Sequence, residues 1–251
     1  GTTFTVGLVA VVLAVAAAEL LTVLRQAGYQ PAQLLGVAAA VALPLAAYYK
    51  GEAGIPLVLA LTVVFGLAWF LAGAGGPDRP VLGLSSTLLA VGWVGLLGSY
   101  AALLLANPAN GGAGDDGIGI LLVAVLGTVG YDVGGFVVGR KAGTRPLSAA
   151  SPNKTVEGLV GGIAGAVVVT VVAASQIYPL SDGGFTDWLL LAVGIAVAAP
   201  LGDLCESLVK RDLDVKDMGS VLPGHGGLLD RFDSLLFVLP TVYYLARVLL
   251  T

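Results

Sequence analysis

The chain has 251 residues, of which 57% are hydrophobic and 11% charged; its formal net charge is -4 and its mean hydropathy is +0.94. These values exclude an ordinary water-soluble domain, and the acidic charge balance argues against a nucleic-acid partner. The single cysteine, Cys205, excludes a disulfide framework and is expected to be a packing residue.

Long apolar runs divided by turn residues predict an all-α fold, a polytopic transmembrane helical bundle. Each run has about 17 to 23 residues, enough to cross roughly 30 Å of hydrocarbon. The first run follows no basic segment, so we expect a spanning helix rather than a cleavable signal. We predict about eight spans, with nine as the alternative. They lie near residues 5–24, 33–49, 55–73, 85–106, 117–139, 158–178, 186–202 and 232–250.

Two polar segments interrupt this pattern, at residues 132–157 and 203–233. Together they hold eight of the twelve Lys and Arg residues and nine of the sixteen acids. Their basic residues predict a cytoplasmic location for both segments. The membrane itself is expected to be a bacterial-type cell (inner) membrane. We therefore expect N-terminal transmembrane helices over residues 1–116 and a transmembrane catalytic region over residues 117–251, with its site facing the cytoplasm.

The sixth predicted span contains two overlapping Gly-xxx-Gly spacings, formed by Gly158, Gly161, Gly162 and Gly165. Such spacings allow close approach of another helix backbone. Tight helix packing is favoured here over direct ligand contact. Small-residue faces fit contacts within one protomer and contacts between protomers equally, so a homodimer is one alternative.

The second polar segment predicts a metal-dependent phosphate site. If the seventh span stays helical beyond the membrane surface, acids and a cation share one of its faces. These residues are Asp203, Glu206, Ser207 and Lys210. The eighth span opens near Asp230, so antiparallel packing of the two spans would bring Asp203 and Asp230 together. Mg²⁺ is commonly held by one or two carboxylates plus substrate phosphates.

A second interpretation makes these charged residues helix caps and interfacial anchors. It is at least as good for Asp212, Asp214 and Asp233. For Asp203 and Asp230, within membrane-bounded helices where an unpaired carboxylate is costly, a functional role is favoured. A secondary transporter, with acids along an ion pathway, is the competing class of function. Clustering of charge on one side of the membrane argues against it.

Between these acids lies the glycine-rich stretch 222–227, which reads LPGHGG. Its glycines permit close backbone approach to a ligand, and its N–H groups suit phosphate oxygens. His225 is the only histidine of the protein, which excludes a histidine metal cluster. Its two interpretations are a hydrogen-bonding or proton-transfer role and a surface histidine that holds the turn.

These motifs together resemble the signature of phosphatidate cytidylyltransferases. The resemblance covers SxVKR at 207–211, KDxG at 216–219 and LPxHGGLxDRFD at 222–233. The first polar segment also resembles this family in Asp132, in the basic pair at 140–141 and in SPNKTxEG at 151–158, where Asn153 replaces the usual Lys. Ser151 and Pro152 predict a helix N-cap and first turn, which would place Lys154 and Thr155 in that turn as an anion site.

The resemblance implies a nucleotidyltransferase that joins CTP and phosphatidic acid at the bilayer surface, with Mg²⁺ and room for a second cation. Its alternatives are an ether-lipid cytidylyltransferase and a polyprenol kinase. We predict Asp203 and Asp230 as metal ligands, with Asp217 and Asp233 as alternates. The other predicted residues are Lys210, Arg211 and His225 in catalysis, and Ser151, Lys154, Thr155, Lys216, Gly226, Gly227 and Arg231 in substrate binding.

Overall fold

The computed structural model describes residues 1–73, 79–106, 116–147, 151, 154–221 and 226–250. Within these ranges the chain is helical and has no strand; an isolated antiparallel bridge joins Pro146 and Thr155. The predicted all-α class is therefore confirmed. The helices are α1 (Thr2–Gln26), α2 (Gln33–Lys50), α3 (Gly54–Leu71), α4 (Pro80–Ala90), α5 (Leu97–Ala106), α6 (Asp116–Ala142), α7 (Val156–Gln176), α8 (Phe185–Asp212) and α9 (Leu229–Leu249).

Seven helical stretches in the described part of the chain are long and apolar enough to cross a membrane. One of them, Gln33–Leu71, joins α2 and α3 through the short 3-10 turn Gly51–Ala53. Another runs from α4 to α5 through the π-helical turn Val91–Leu96. Since α2 and α3 pack against each other, the stretch Gln33–Leu71 corresponds to two of the predicted spans. The chain is a polytopic membrane protein, and the count of eight spans stays a prediction.

The chain divides into two compact units. The first comprises Gly1–Ala106 and Asp212–Phe232, and the second comprises Asn107–Arg211 and Asp233–Thr251. The polar segment 212–232 therefore belongs to the same compact unit as the N-terminal helices. The sequence analysis instead predicts a single boundary after residue 116. That division stays a prediction.

In the first unit, α1 and α2 pack together and both contact α5. The core of this unit is aliphatic, with Leu20, Leu21, Leu43 and Leu105 completely buried. Within a bilayer a core of this kind gains its stability from close packing, because lipid tails are as apolar as leucine. The segment 212–232 belongs to this same unit.

In the second unit, α6 and α7 form the most extensive helix pair among the described residues. Glycines of the two helices face each other at backbone contact. A side chain added at Gly134 would meet the backbone of Gly161 and Gly165, and one added at Gly161 would meet Val138 and the Gly134 carbonyl. The predicted packing role of the α7 glycines is therefore confirmed within one chain, and a homodimer stays a prediction.

We expect Gly134→Ala to destabilise the second unit. The new methyl group would meet backbone atoms of α7, including the Gly161 carbonyl carbon at 3.2 Å, and backbone cannot move aside as a flexible side chain can. Overpacking of this kind costs about 1–3 kcal/mol. The matched control is Gly7→Ala on α1, where an added Cβ has no neighbour within 4 Å. Thermal unfolding in detergent should show a lower apparent Tm for the first variant only.

Candidate active site

A cavity of about 460 Å³ lies in the second unit, beside α6, the start of α7 and α8. Its wall combines cationic, acidic and aromatic side chains with glycines. Three of the predicted site residues line it, together with six residues of one face of α6. The lining residues with charged, polar or aromatic side chains include Asp132, Phe136, Arg140, Lys154, Thr155 and Asp203.

Lys154 and Asp203 form an ion pair at the wall of this cavity. The Lys154 ammonium also donates a hydrogen bond to the Ser207 hydroxyl, with an Nζ–Oγ distance of 3.3 Å. The lysine side chain is 32% exposed and the aspartate side chain 20%, so both can reach a ligand in the cavity. The pair therefore presents a cation and a carboxylate at one point, from elements distant in the sequence.

A pair of acids, Glu206 and Asp233, is buried in the same unit. Glu206 is only 1% exposed, and its Oε2 accepts a hydrogen bond of 2.6 Å from the Lys210 ammonium. Its Oε1 is buried as well. The Asp233 carboxyl adjoins Glu206 and interacts electrostatically with Asp203 and Lys154. Asp203, Glu206 and Asp233 therefore belong to one charged cluster.

Gly202 explains how α9 brings Asp233 into this cluster. A Cβ added at Gly202 would lie 2.6 Å from the carbonyl oxygen of Asp233 and 2.9 Å from the Cα of Ser234. Only glycine leaves room for so close a crossing of α8 and α9. Asp233 is 8% exposed, so it lies within the charged cluster and not on a solvated helix cap.

The predicted shared face of α8 is confirmed. The helix runs without interruption to Asp212, so Asp203, Ser207 and Lys210 are separated by whole turns. Glu206 was placed on this face by the sequence but was given no role. The sequence feature that could have pointed to a role for Glu206 is its position one turn after Asp203, in a helix whose opposite face is apolar.

The predicted start of α7 is wrong. The helix begins at Val156, and its N-cap is Thr155, whose hydroxyl accepts the Gly158 N–H at 3.0 Å. Lys154 and Thr155 precede the helix because the backbone there pairs with residues 145–147. Glu157 completes the turn by accepting hydrogen bonds from Thr144. Ser151 is buried ahead of this turn, whereas Pro152 and Asn153 lie outside the described residues.

In the first unit, Asp230 closes the polar segment onto itself. Its Oδ2 accepts the N–H groups of Gly227 at 2.7 Å and of Met218 at 2.9 Å. Asp217 lies nearby, since a Cβ added at Gly226 would be 3.2 Å from the Asp230 carboxylate and 3.3 Å from that of Asp217. Gly226 has a φ of +81°, a conformation that favours glycine. The first unit therefore brings two predicted metal ligands together.

The predicted metal ligands thus form two groups, Asp203 with Asp233 in the second unit and Asp230 with Asp217 in the first. Direct pairing of Asp203 with Asp230 stays a prediction. Arg211, Lys216 and Arg231 are exposed. His225 lies outside the described residues, together with Leu222, Pro223 and Gly224.

Glu19 is a buried acid that the sequence analysis missed. It is 7% exposed, and its Oε2 accepts the N–H of Leu229 at 2.9 Å, although 210 residues separate the two. The available signal was that Glu19 is the only acidic residue within the first apolar run. Ionisable residues inside apolar spans are costly and point to function.

Comparison with known proteins identifies relatives that match nearly the whole chain. The family model described as "Cytidylyltransferase family" matches residues 1–249. The phosphatidate cytidylyltransferase of Mycobacterium bovis is 35% identical over 248 residues, which cover 92% of this chain and 76% of that protein. The enzyme of the same name from Bacillus subtilis is 48% identical over 115 residues, or 45% of this chain and 42% of that protein.

Proposed function

Since the chain belongs to the cytidylyltransferase family, we propose that it is a phosphatidate cytidylyltransferase, which makes CDP-diacylglycerol and pyrophosphate from CTP and phosphatidic acid. The resemblance of its two polar segments to this family is confirmed by the match across residues 1–249. The structural observation that supports the assignment best is the Lys154–Asp203 ion pair at the cavity wall.

The reaction joins two polyanions, so its main demands are alignment and charge neutralisation. An oxygen of the phosphatidate phosphate attacks the α-phosphorus of CTP, and the bond from that phosphorus to the oxygen bridging to the β-phosphate breaks. Lys154 is suited to hold a phosphate oxygen during this transfer, because its ammonium is partly exposed in the cavity. Arg140 adds a second cation to the cavity wall.

We propose Mg²⁺ as the metal. Among the described residues, no three His, Cys, Asp or Glu side chains are grouped so that they form a complete metal site. The residues nevertheless fit Mg²⁺, which is usually held by one or two carboxylates with substrate phosphates and water. Asp203 and Asp233 are candidate ligands in the second unit, since their carboxyl groups interact electrostatically. When bound, the metal would neutralise phosphate charge.

We propose that the site faces the cytoplasm. Arg140 and Lys141 lie in the last turn of α6, and Lys210 and Arg211 in the last turn of α8. Clusters of basic residues at helix ends are typical of the cytoplasmic side. CTP would then arrive from the cytosol and the lipid from the bilayer.

We expect purified protein in detergent to convert CTP and phosphatidic acid to CDP-lipid and pyrophosphate when Mg²⁺ is present. CTP labelled at the α-phosphate should transfer its label to lipid, and CTP labelled at the γ-phosphate should not. The reverse pattern, with release of CDP, would identify a lipid kinase.

In sealed vesicles, added CTP should react only where the cytoplasmic face is outward; equal rates in both orientations would contradict the proposed sidedness.

A further inference from the structure

Glu19 belongs to a helix that has none of the signature residues, yet its carboxylate lies against the polar segment 212–232 of the same unit. The contact is a hydrogen bond of 2.9 Å from the N–H of Leu229, a fully buried residue at the start of α9. Asp230 is the next residue. A side chain of α1 therefore fixes the backbone immediately before a predicted catalytic carboxylate.

Two signature glycines make room for this carboxylate. The three nearest atoms to a Cβ added at Gly219 all belong to the Glu19 side chain, with Cδ at 2.5 Å and Cγ at 2.8 Å. A Cβ added at Gly227 would lie 2.8 Å from Glu19 Oε2 and 2.9 Å from Asp230 Oδ2. Neither glycine has a positive φ, so space and not backbone conformation requires glycine at both positions.

The burial of Glu19 is costly and so calls for an explanation beyond packing. A carboxyl group taken from water into an apolar helix bundle loses its hydration, and among the described residues only Oε2 accepts a hydrogen bond, from the Leu229 N–H. Oε1 is buried and has no hydrogen-bond partner among the described residues. A leucine would fill a similar volume without that cost.

We propose that Glu19 is a positioning residue that holds the segment carrying Asp217 and Asp230 in its active shape. This inference rests on the proposed function. Glu19 acts through the Leu229 N–H and through its fit between Gly219 and Gly227, and it does not contact the substrate. The N-terminal helix thereby contributes to a reaction whose signature residues all lie in the C-terminal half of the chain.

The kinetic test compares three substitutions on α1. Glu19→Leu removes the acceptor and should lower kcat about 10- to 100-fold, as loss of a supporting contact usually does. Glu19→Gln keeps an oxygen that accepts the Leu229 N–H, so it should recover most of that loss. Thr22→Val changes an exposed position three residues away whose hydroxyl donates a hydrogen bond to the Ala18 carbonyl of its own helix, and it should retain the wild-type rate. Equal losses in the Gln and Leu variants, or wild-type turnover in the Leu variant, would overturn the proposal.

A double-mutant cycle tests the contact without any assay of turnover. Gly219→Ala should lower the apparent Tm in the wild-type background, because its methyl group collides with Glu19. In the Glu19→Ala background the same change should cost little, since the colliding atoms are gone. Additive shifts would overturn the proposed fit. The cycle is readable even if the protein makes no CDP-lipid, so failure of the proposed function and failure of this inference give different results.

Discussion

Asp203→Asn is expected to lower turnover on the order of 10³-fold, which corresponds to about 4 kcal/mol of transition-state stabilisation. Asparagine keeps the size of the side chain and removes its negative charge. The Lys154 ammonium then loses its anionic partner, and the charged cluster of α8 and α9 loses the carboxylate that lines the cavity. Initial rates of CDP-lipid formation at saturating CTP and phosphatidic acid measure the effect.

Two controls on α8 separate this effect from general damage. Asp212→Asn makes the same chemical change at an exposed position at the end of the helix, and Cys205→Ala alters a side chain two residues from Asp203. Both should retain near wild-type rates. All three variants should be extracted in folded form with similar apparent Tm. A near-normal rate for Asp203→Asn at saturating Mg²⁺ would remove Asp203 from the active site.

The sequence predicted the helical class and the face of α8 because both follow from local rules. Apolar runs of membrane-spanning length predict helices, and residues separated by three or four positions share a helix face. The same reasoning failed at the start of α7. Ser151 and Pro152 form a good local capping signal, but the pairing of residues 145–147 with 154–156 is non-local and holds Thr155 in an extended conformation ahead of the helix.

The contact of Glu19 with Leu229 lies beyond local rules altogether, since it joins residues 210 positions apart. An acid within an apolar run is visible in the sequence, but its partner is not. The reason for glycine at two signature positions is likewise a contact between residues far apart in the sequence. Gly227 was predicted to approach a ligand in a phosphate loop and Gly219 was given no role, whereas the described contacts show that both make room for a side chain from α1. Only the packed structure supplies that reason.

Asp230 is predicted to serve the reaction through its charge and the fold through its hydrogen bonds, and two substitutions separate these roles. Asp230→Asn keeps an oxygen for the Gly227 and Met218 N–H groups but removes the negative charge. We expect it to lose turnover on the order of 10³-fold while residues 216–221 and 226–228 stay as resistant to proteases as in the wild type. Asp230→Ala should lose both turnover and protease resistance, because the N–H groups of Gly227 and Met218 would then lack their acceptor.

The matched control for the charge change is Asp214→Asn in the same segment. Asp214 has a φ of +53°, a conformation that asparagine adopts readily, so this variant should keep both its activity and its protease resistance. Limited proteolysis and rates of CDP-lipid formation are measured on the same preparations. Normal turnover of Asp230→Asn would show that Asp230 acts only through its hydrogen bonds to the backbone and that its charge is not needed for the reaction. Lost protection in Asp230→Asn would instead show that the charge of Asp230 is needed for the shape of the segment.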